Sequence, residues 1–119
     1  MAGTIIADDI QHSTAGSVGT EFVVNGSAKV WARSGSASIV ESLNTSGFTD
    51  NGTGDYTIAF SSAFSTNTFA GTATGLGTAA RSVNYSNSQT TSVDLDTFAS
   101  TTGSRVDTAT GFQINGDLA

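Results

Sequence analysis

One stretch of this chain constrains its fold more than any other, because residues 48–60 have the pattern of a β-hairpin. In an extended strand, successive side chains point to opposite faces of the sheet. The large side chains of the second half share one face, and they are Tyr56, Ile58 and Phe60. The residues on the other face are Asp55, Thr57 and Ala59. Asn51-Gly52 and Gly54 lie between the two halves and suit the positive φ angles of a tight turn. The segment therefore predicts two antiparallel strands that bury one face.

Further short strands, separated by Gly, Asn and Ser turns, follow along the chain. Strands of this length at regular spacing indicate a sandwich or a barrel. We predict an all-β fold, an antiparallel β-sandwich that is jelly-roll-like. In the first strand, Lys29, Trp31 and Arg33 alternate with Val30 and Ala32, and the pattern does not decide which face is buried. The predicted strands are 29–33, 38–44, the 47–61 hairpin, 68–74, 81–86, 92–98 and one near 111–115.

Residues 1–26 differ from the rest, and we predict that they form an extended N-terminal arm before a sandwich domain at 27–119. Ile5, Ile6 and Ile10 are isolated apolar side chains in a polar, Gly-containing run. One interpretation is a frayed terminus. The other is an arm that lies on a neighbouring subunit and is anchored by its isoleucines. Residues 22–24 are predicted to be a short strand, because the window from 20 to 24 lacks helix caps and a helical period.

The charge of the chain excludes several classes of partner. Its 119 residues suit one domain, and its formal net charge is −6 with only 4 Lys and Arg residues. Nucleic-acid binding and docking on anionic membranes both need clustered cations, so we expect no nucleic-acid partner and no membrane. No run of residues reaches the length of a membrane helix. With no cysteine, the chain has no disulfide or thiolate metal site, and we predict no cofactor.

Two groups of residues resemble catalytic or metal sites, and we interpret both as structural. Asp94 and Asp96 would share a strand face, as paired carboxylates do in glycosidases. We favour the structural explanation, which is a solvated strand face or ion pairs with Arg81 or Arg105 across a subunit boundary. Residues 50–55 faintly resemble a calcium loop, but a true EF-hand loop is longer and ends in a glutamate. A hairpin turn explains every residue of that run.

Neither the single histidine nor the single tryptophan decides the function. His12 lies in the predicted arm, and the chain has no Gly-x-Ser-x-Gly elbow, so we predict no catalytic triad and no enzyme. Trp31 suits a core position, a sugar-stacking position or an interface equally well. Lys29 and Arg33 would share its face, which favours a partly exposed or intersubunit position.

Three segments, in order, resemble a small β-sandwich domain of tailed-bacteriophage virion proteins. They are Gly-Ser-Ala-Lys-Val-Trp at 26–31, Asp-Asn-Gly-Thr-Gly-Asp-Tyr-Thr-Ile-Ala-Phe at 50–60, and Gly-Asp-Leu-Ala at 116–119. The resemblance spans roughly residues 17–119, and the hairpin is its specific part. It implies a trimeric, non-enzymatic domain on the outside of a phage particle.

Length then favours one virion role, because the chain has room for one arm and one sandwich but no fibre shaft. We expect a capsid decoration (cement) protein, assembled in the host cytoplasm and located on the outer surface of the capsid. Its partners would be two further copies in a homotrimer and the major capsid protein. Ile5, Ile6 and Ile10 are the predicted arm anchors, and Phe22 and Trp31 the predicted trimer packing residues. The alternative is the distal tip of a tail fibre, which binds a host surface receptor.

Overall fold

Two four-stranded sheets make up most of the protein. The computed structural model describes residues 3–77 and 79–119, and within them a small hairpin and one short helix precede the sheets. The elements are β1 (Asp9–His12), β2 (Gly16–Gly19), α1 (Thr20–Gly26), β3 (Ala28–Ser34), β4 (Ile39–Leu43), β5 (Thr45–Gly52), β6 (Asp55–Phe60), β7 (Ala70–Leu76), β8 (Arg81–Ser86), β9 (Ser92–Ala99) and β10 (Ala109–Asn115).

The two sheets pack face to face as an antiparallel β-sandwich. Their strand orders are β4-β3-β10-β7 and β5-β6-β9-β8, and every pairing is antiparallel. The inner faces meet in one core, to which the four central strands contribute most. This confirms the predicted all-β sandwich. The jelly-roll-like winding stays a prediction.

The β5–β6 hairpin, at one side of the second sheet, has the predicted alternation. Phe48 pairs with Ile58, and Gly52 pairs with Asp55 across the turn. The inward residues Tyr56, Ile58 and Phe60 are buried. Gly52 and Gly54 have φ angles of 136° and 65°, as the turn sequence predicts. The face of β6 that the sequence pattern marks as apolar is the face that packs against the other sheet.

The structure also decides which face of β3 is buried. Val30 and Ala32 point into the core, opposite Ile114 and Phe112 of β10. Trp31 therefore points outward. The alternation of β3 alone could not settle this point, because both of its faces carry one large apolar or aromatic side chain.

Three phenylalanines close one end of the sandwich. The ring of Phe64 lies 5.3 Å from that of Phe60 and 4.8 Å from that of Phe69, measured between centroids. Phe64 also forms an isolated backbone bridge with Leu118. A Cβ on Gly116 would lie 2.9 Å from the Phe64 ring, so glycine lets the chain pass close beside it. The C-terminal residues are thereby packed onto the core.

Tyr85 of β8 links the two sheets at another edge. Its hydroxyl lies 2.7 Å from the carbonyl oxygen of Thr72 and 3.3 Å from that of Gln113, both on the opposite sheet. Gly71 leaves room for the ring, because a Cβ there would lie 3.0 Å from Cζ of Tyr85. Burial raises the pKa of Tyr85. Burial, followed by a hydrogen bond to Asp107, raises the pKa of Tyr56.

These tyrosines predict a loss of stability in alkaline solution. An unfolded tyrosine ionises near pH 10. Because the folded pKa values are raised, the folded state holds more protons than the unfolded state above that pH, and the free energy of unfolding falls as pH rises. Below about pH 10 the stabilising contribution is fully present. We expect urea unfolding to give a constant tyrosine contribution from pH 8 to about pH 10 and a fall above about pH 10, with a smaller fall in Tyr85→Phe. Parallel curves for the two proteins would contradict the assignment to Tyr85.

Candidate functional site

The segment of residues 3–26 is mostly exposed and packs largely on itself. The radius of gyration is 16.8 Å, against about 13.5 Å expected for a compact domain of this length. Residues 3–8 have no regular structure, and β1, β2 and α1 follow. The Thr20 hydroxyl donates to the carbonyl oxygens of Ala7 and Asp8, at 2.7 and 3.0 Å. Asn115 donates to the Gly26 carbonyl oxygen at 2.6 Å, which ties the end of α1 to the sandwich.

The predicted extended arm is therefore wrong for residues 9–26, which fold into a hairpin and a helix. Residues 1 and 2 lie outside the described residues. The predicted short strand at 22–24 is also wrong, because these residues belong to α1. Val23-Val24 favours a strand locally, but no strand in the described residues pairs with it. Helical hydrogen bonds satisfy the backbone instead. The predicted boundary at 26/27 falls between α1 and β3, and the division into two domains stays a prediction.

His12 has a structural position in this segment. Its Nδ1 accepts backbone N–H groups of Thr14 and Ala15, at 3.3 and 3.1 Å. These bonds shape the turn between β1 and β2. The side chain thus has a role that does not involve a nucleophile.

The three predicted anchor residues meet at one exposed apolar surface. Ile5 and Ile6 are 94% and 93% exposed, and Ile10 is 51% exposed. They line an open groove of about 410 Å³ together with side chains of α1. We call this surface the N-terminal apolar cluster, and its members are Ile5, Ile6, Ile10, Val23 and Val24. The sequence predicted the isoleucines, whereas the two valines were missed because they were assigned to a strand.

Phe22 and Trp31, the predicted trimer packing residues, lie on different elements. Phe22 is on α1 and is 67% exposed. Trp31 is on the outer face of β3, between Leu43 of β4 and Gln113 of β10. Both side chains are thus available to a partner. Their packing near a trimer axis stays a prediction.

A second concave surface lies beside Trp31 on the outer face of its sheet. It encloses about 440 Å³ and spans β3, β10 and β7. Gly111 forms its floor, because no side chain rises between the neighbouring strands at that position. We call it the Trp31 groove, and its main lining residues are Trp31, Thr72, Thr74, Gly111 and Gln113. An indole beside hydroxyl and amide groups can bind a ligand that is part apolar and part polar.

The Asp94/Asp96 pair is part of a saturated polar network. Asp94 accepts hydrogen bonds from Thr57 and Asn87, at 2.7 and 2.9 Å. Asp96 accepts from Ser86 at 2.7 Å and pairs with Arg105 at 2.6 Å. The ion pair with Arg105 was one of the structural explanations predicted, although it lies within one chain and not across a subunit boundary. These contacts account for both carboxylates without a substrate.

The run that resembles a calcium loop is a hairpin turn whose carboxylates already have partners. Asp50 accepts the N–H of Gly52 at 3.0 Å, and Asp55 pairs with Arg105 at 2.9 Å. The amide of Asn51 donates to Asp55 and Thr57, at 3.2 and 2.9 Å. Across residues 3–77 and 79–119, no group of three or more His, Asp and Glu side chains could hold a metal ion.

Comparison with protein-family models, curated proteins and solved structures found no match to this chain. In the described part of the chain, every helix is too short or too polar to cross a bilayer. Two exposed surfaces are suited to binding a partner, and they are the N-terminal apolar cluster and the Trp31 groove.

Proposed function

We propose that this protein is a structural, non-enzymatic subunit of a tailed-bacteriophage virion. In this proposal it is a homotrimeric capsid decoration protein that binds across major capsid subunits and stabilises the shell. The observation that carries the proposal is the N-terminal apolar cluster, whose isoleucines are exposed on a segment outside the sandwich core. Contiguous exposed apolar surface of this kind marks a contact with another protein. The assignment to a phage particle is supported by the resemblance of the sequence to virion sandwich domains.

Burial of the cluster against a partner would contribute enough free energy to hold the protein in place. Burial of one isoleucine side chain contributes about 1.5–3 kcal/mol. Three isoleucines on each of three linked copies would engage neighbouring subunits, either capsid protein or a further copy, so that each contact raises the effective concentration of the next. The sandwich contributes rigidity, because its core is continuous across both sheets. Such a protein holds neighbouring subunits by many moderate contacts.

The proposal predicts that changing the cluster releases the protein from particles without unfolding it. Ile5→Ser, Ile6→Ser and Ile10→Ser together, or deletion of residues 1–12, should lower capsid occupancy at least tenfold, since about 1.4 kcal/mol of lost binding is already tenfold. Occupancy is measured by quantitative mass spectrometry of purified particles. Circular dichroism should retain the strand signal of the two sandwich sheets, because residues 3–12 lie outside the core.

A matched control is Val40→Ser, which changes an aliphatic side chain that is 64% exposed on β4. Occupancy should stay at the level of the unchanged protein. The same particles give the copy number. Hundreds of copies per particle would support decoration, whereas a handful would place the protein in the tail. Full occupancy of the triple variant would refute anchoring by the isoleucines.

A second candidate function rests on the Trp31 groove. A pyranose ring can stack its C–H face on an indole while its hydroxyls bond to neighbouring amide and hydroxyl groups. The groove offers Trp31 beside Gln113, Thr72 and Thr74 in this arrangement. This surface would suit the receptor-binding tip of a tail fibre, with a host surface glycan as ligand.

The sole tryptophan makes this candidate directly testable. Because Trp31 is the only indole, its fluorescence reports on the groove. Titration with neutral oligosaccharides should change the emission, and Gly111→Ala should weaken the response about tenfold by raising the floor. A Cβ at Gly111 would lie 3.8 Å from Leu76 and Thr74, so alanine fits without a clash. Thr49→Val, on the other sheet, is the control. Emission that stays constant with every sugar would exclude this candidate.

A further inference from the structure

The four edge strands of the sandwich are not equally protected against pairing with another chain. Sheet edges in natural proteins usually carry a charge, a bulge or a proline that prevents such pairing. β4 carries Glu41 and borders a register shift, β5 carries Asp50 and two register shifts, and β8 carries Arg81. β7 has none of these features, and its register with β10 is unbroken from Ala70 to Leu76.

β7 is thus an open and uncharged template for one more strand. Within residues 3–77 and 79–119, β10 is the only strand whose backbone pairs with it, and the Tyr85 hydroxyl of β8 also bonds to the Thr72 carbonyl oxygen. In an antiparallel edge strand, alternate residues direct their N–H and C=O groups away from the sheet. Five of the seven residues of β7 are Ala, Gly or Leu, and the other two are threonines. An extended segment could therefore approach from the side away from β10, while Tyr85 and Arg81 of β8 pack against the inner side of Gly71 and Gly75.

The same chain contains a free segment that fits this template. Residues 4–7 read Thr-Ile-Ile-Ala, without charge and with three β-branched residues, which favour strands. They have no regular structure, and Ile5 and Ile6 are almost fully exposed. Among the described residues, no hydrogen bond joins Thr4, Ile5 or Ile6 to another residue. The segment and β7 of one chain are not paired with each other.

We propose that residues 4–7 of one copy add as a fifth strand to the β7 edge of the neighbouring copy. This inference rests on the proposed trimer and names the contact that closes it. A donor segment on one side and an acceptor edge on the other form a head-to-tail contact, which generates a ring when three copies close it. Main-chain hydrogen bonds would hold the segment, as in other cases of strand addition.

The alternation of the added strand gives its two isoleucines different environments. Ile5 and Ile6 point to opposite faces of any strand they form. One would lie beside Thr72 and Thr74 on the outer face of the sheet. The other would lie on the inner side, next to Tyr85, where Ala73 and Val83 are only partly buried. Only one of the two isoleucines can therefore contact the outer threonines.

Disulfide trapping tests this contact, and the chain has no cysteine of its own. Copies with Ile5→Cys or Ile6→Cys are mixed, under oxidation, with differently tagged copies that carry Thr72→Cys or Thr74→Cys. Paired strands lie about 4.8 Å apart, within the span of a disulfide. We expect a cross-linked pair of tags from one of the two isoleucine positions and not from the other. Thr49→Cys, on the exposed face of β5, is the control acceptor and should not cross-link.

A charge on the edge is the second test. Thr74→Lys should reduce trimer formation at least about tenfold in sedimentation, with an unchanged strand signal in circular dichroism. Thr49→Lys, on β5, should leave the trimer intact. If trimers occupy capsids fully but no cross-link forms, or if both isoleucines cross-link equally, the strand pairing is wrong and the proposed function stands. If the unchanged protein is a monomer on and off particles, both the inference and the proposed trimer are wrong.

Discussion

Gly54→Ala is expected to destabilise the sandwich by about 3 kcal/mol, by combining backbone strain with a clash. Gly54 has a φ angle of 65°, which L-residues rarely adopt. A Cβ there would lie 2.5 Å from the Thr97 carbonyl oxygen and 2.8 Å from the Val106 nitrogen. Both are backbone atoms, so the strand ends would have to separate. Asp107 also accepts the Gly54 N–H at 2.7 Å, and this bond would be strained.

Gly103→Ala is the matched control, because it separates the two effects. Gly103 has nearly the same φ angle, 69°, but a Cβ there would meet nothing within 4 Å. Its cost should be limited to the backbone conformation, about 1 kcal/mol. Urea unfolding monitored by circular dichroism measures both variants. Equal losses at the two positions would contradict the proposed clash at Gly54.

Phe64→Ala is expected to cost about 4 kcal/mol, because it empties the end of the core. Phe64 is 2% exposed and contacts Phe60 and Phe69. Its backbone N–H also bonds to the Thr90 carbonyl oxygen at 2.8 Å, so the site cannot collapse freely around the cavity. Thermal and urea unfolding of the variant should both show the loss.

Phe22→Ala is the comparison for Phe64→Ala, because it removes an exposed phenylalanine instead of a buried one. Phe22 is 67% exposed on α1, so its removal should change the free energy of unfolding by less than about 0.5 kcal/mol. If Phe22 packs in a trimer as predicted, the same change should weaken association. A large loss of stability in Phe22→Ala without any effect on assembly would show that the side chain serves the fold instead.

Much of the sandwich could be predicted from local pattern. The predicted strand at 81–86 coincides with β8, the strand at 29–33 is one residue shorter than β3 at each end, and the strand at 92–98 is one residue shorter than β9 at its C-terminal end. The hairpin turn around Gly52 and Gly54 was also correct. These features depend on alternation and on turn residues, which are both properties of a few consecutive positions. The strand predicted at 68–74 is displaced by two residues, because its Thr, Ala and Gly residues mark no clear boundary.

The N-terminal segment shows where local pattern failed. Val23-Val24 has the pattern of a strand, but in the part of the chain that the structure describes no strand pairs with it, and it belongs to α1. The groove that the isoleucines share with these valines was therefore not predicted. The ion pairs of Arg105 with Asp55 and Asp96 likewise depend on residues far apart in the chain being brought together.

The sequence alone determined that this chain is built from short antiparallel strands. The reason is that alternating side chains and turn residues are both properties of a few consecutive positions. Only the tertiary structure decided that Trp31 faces outward, that β7 is an uncharged edge, and that five aliphatic side chains form one exposed cluster. The reason is that an exposed surface is whatever the packing of distant segments leaves uncovered.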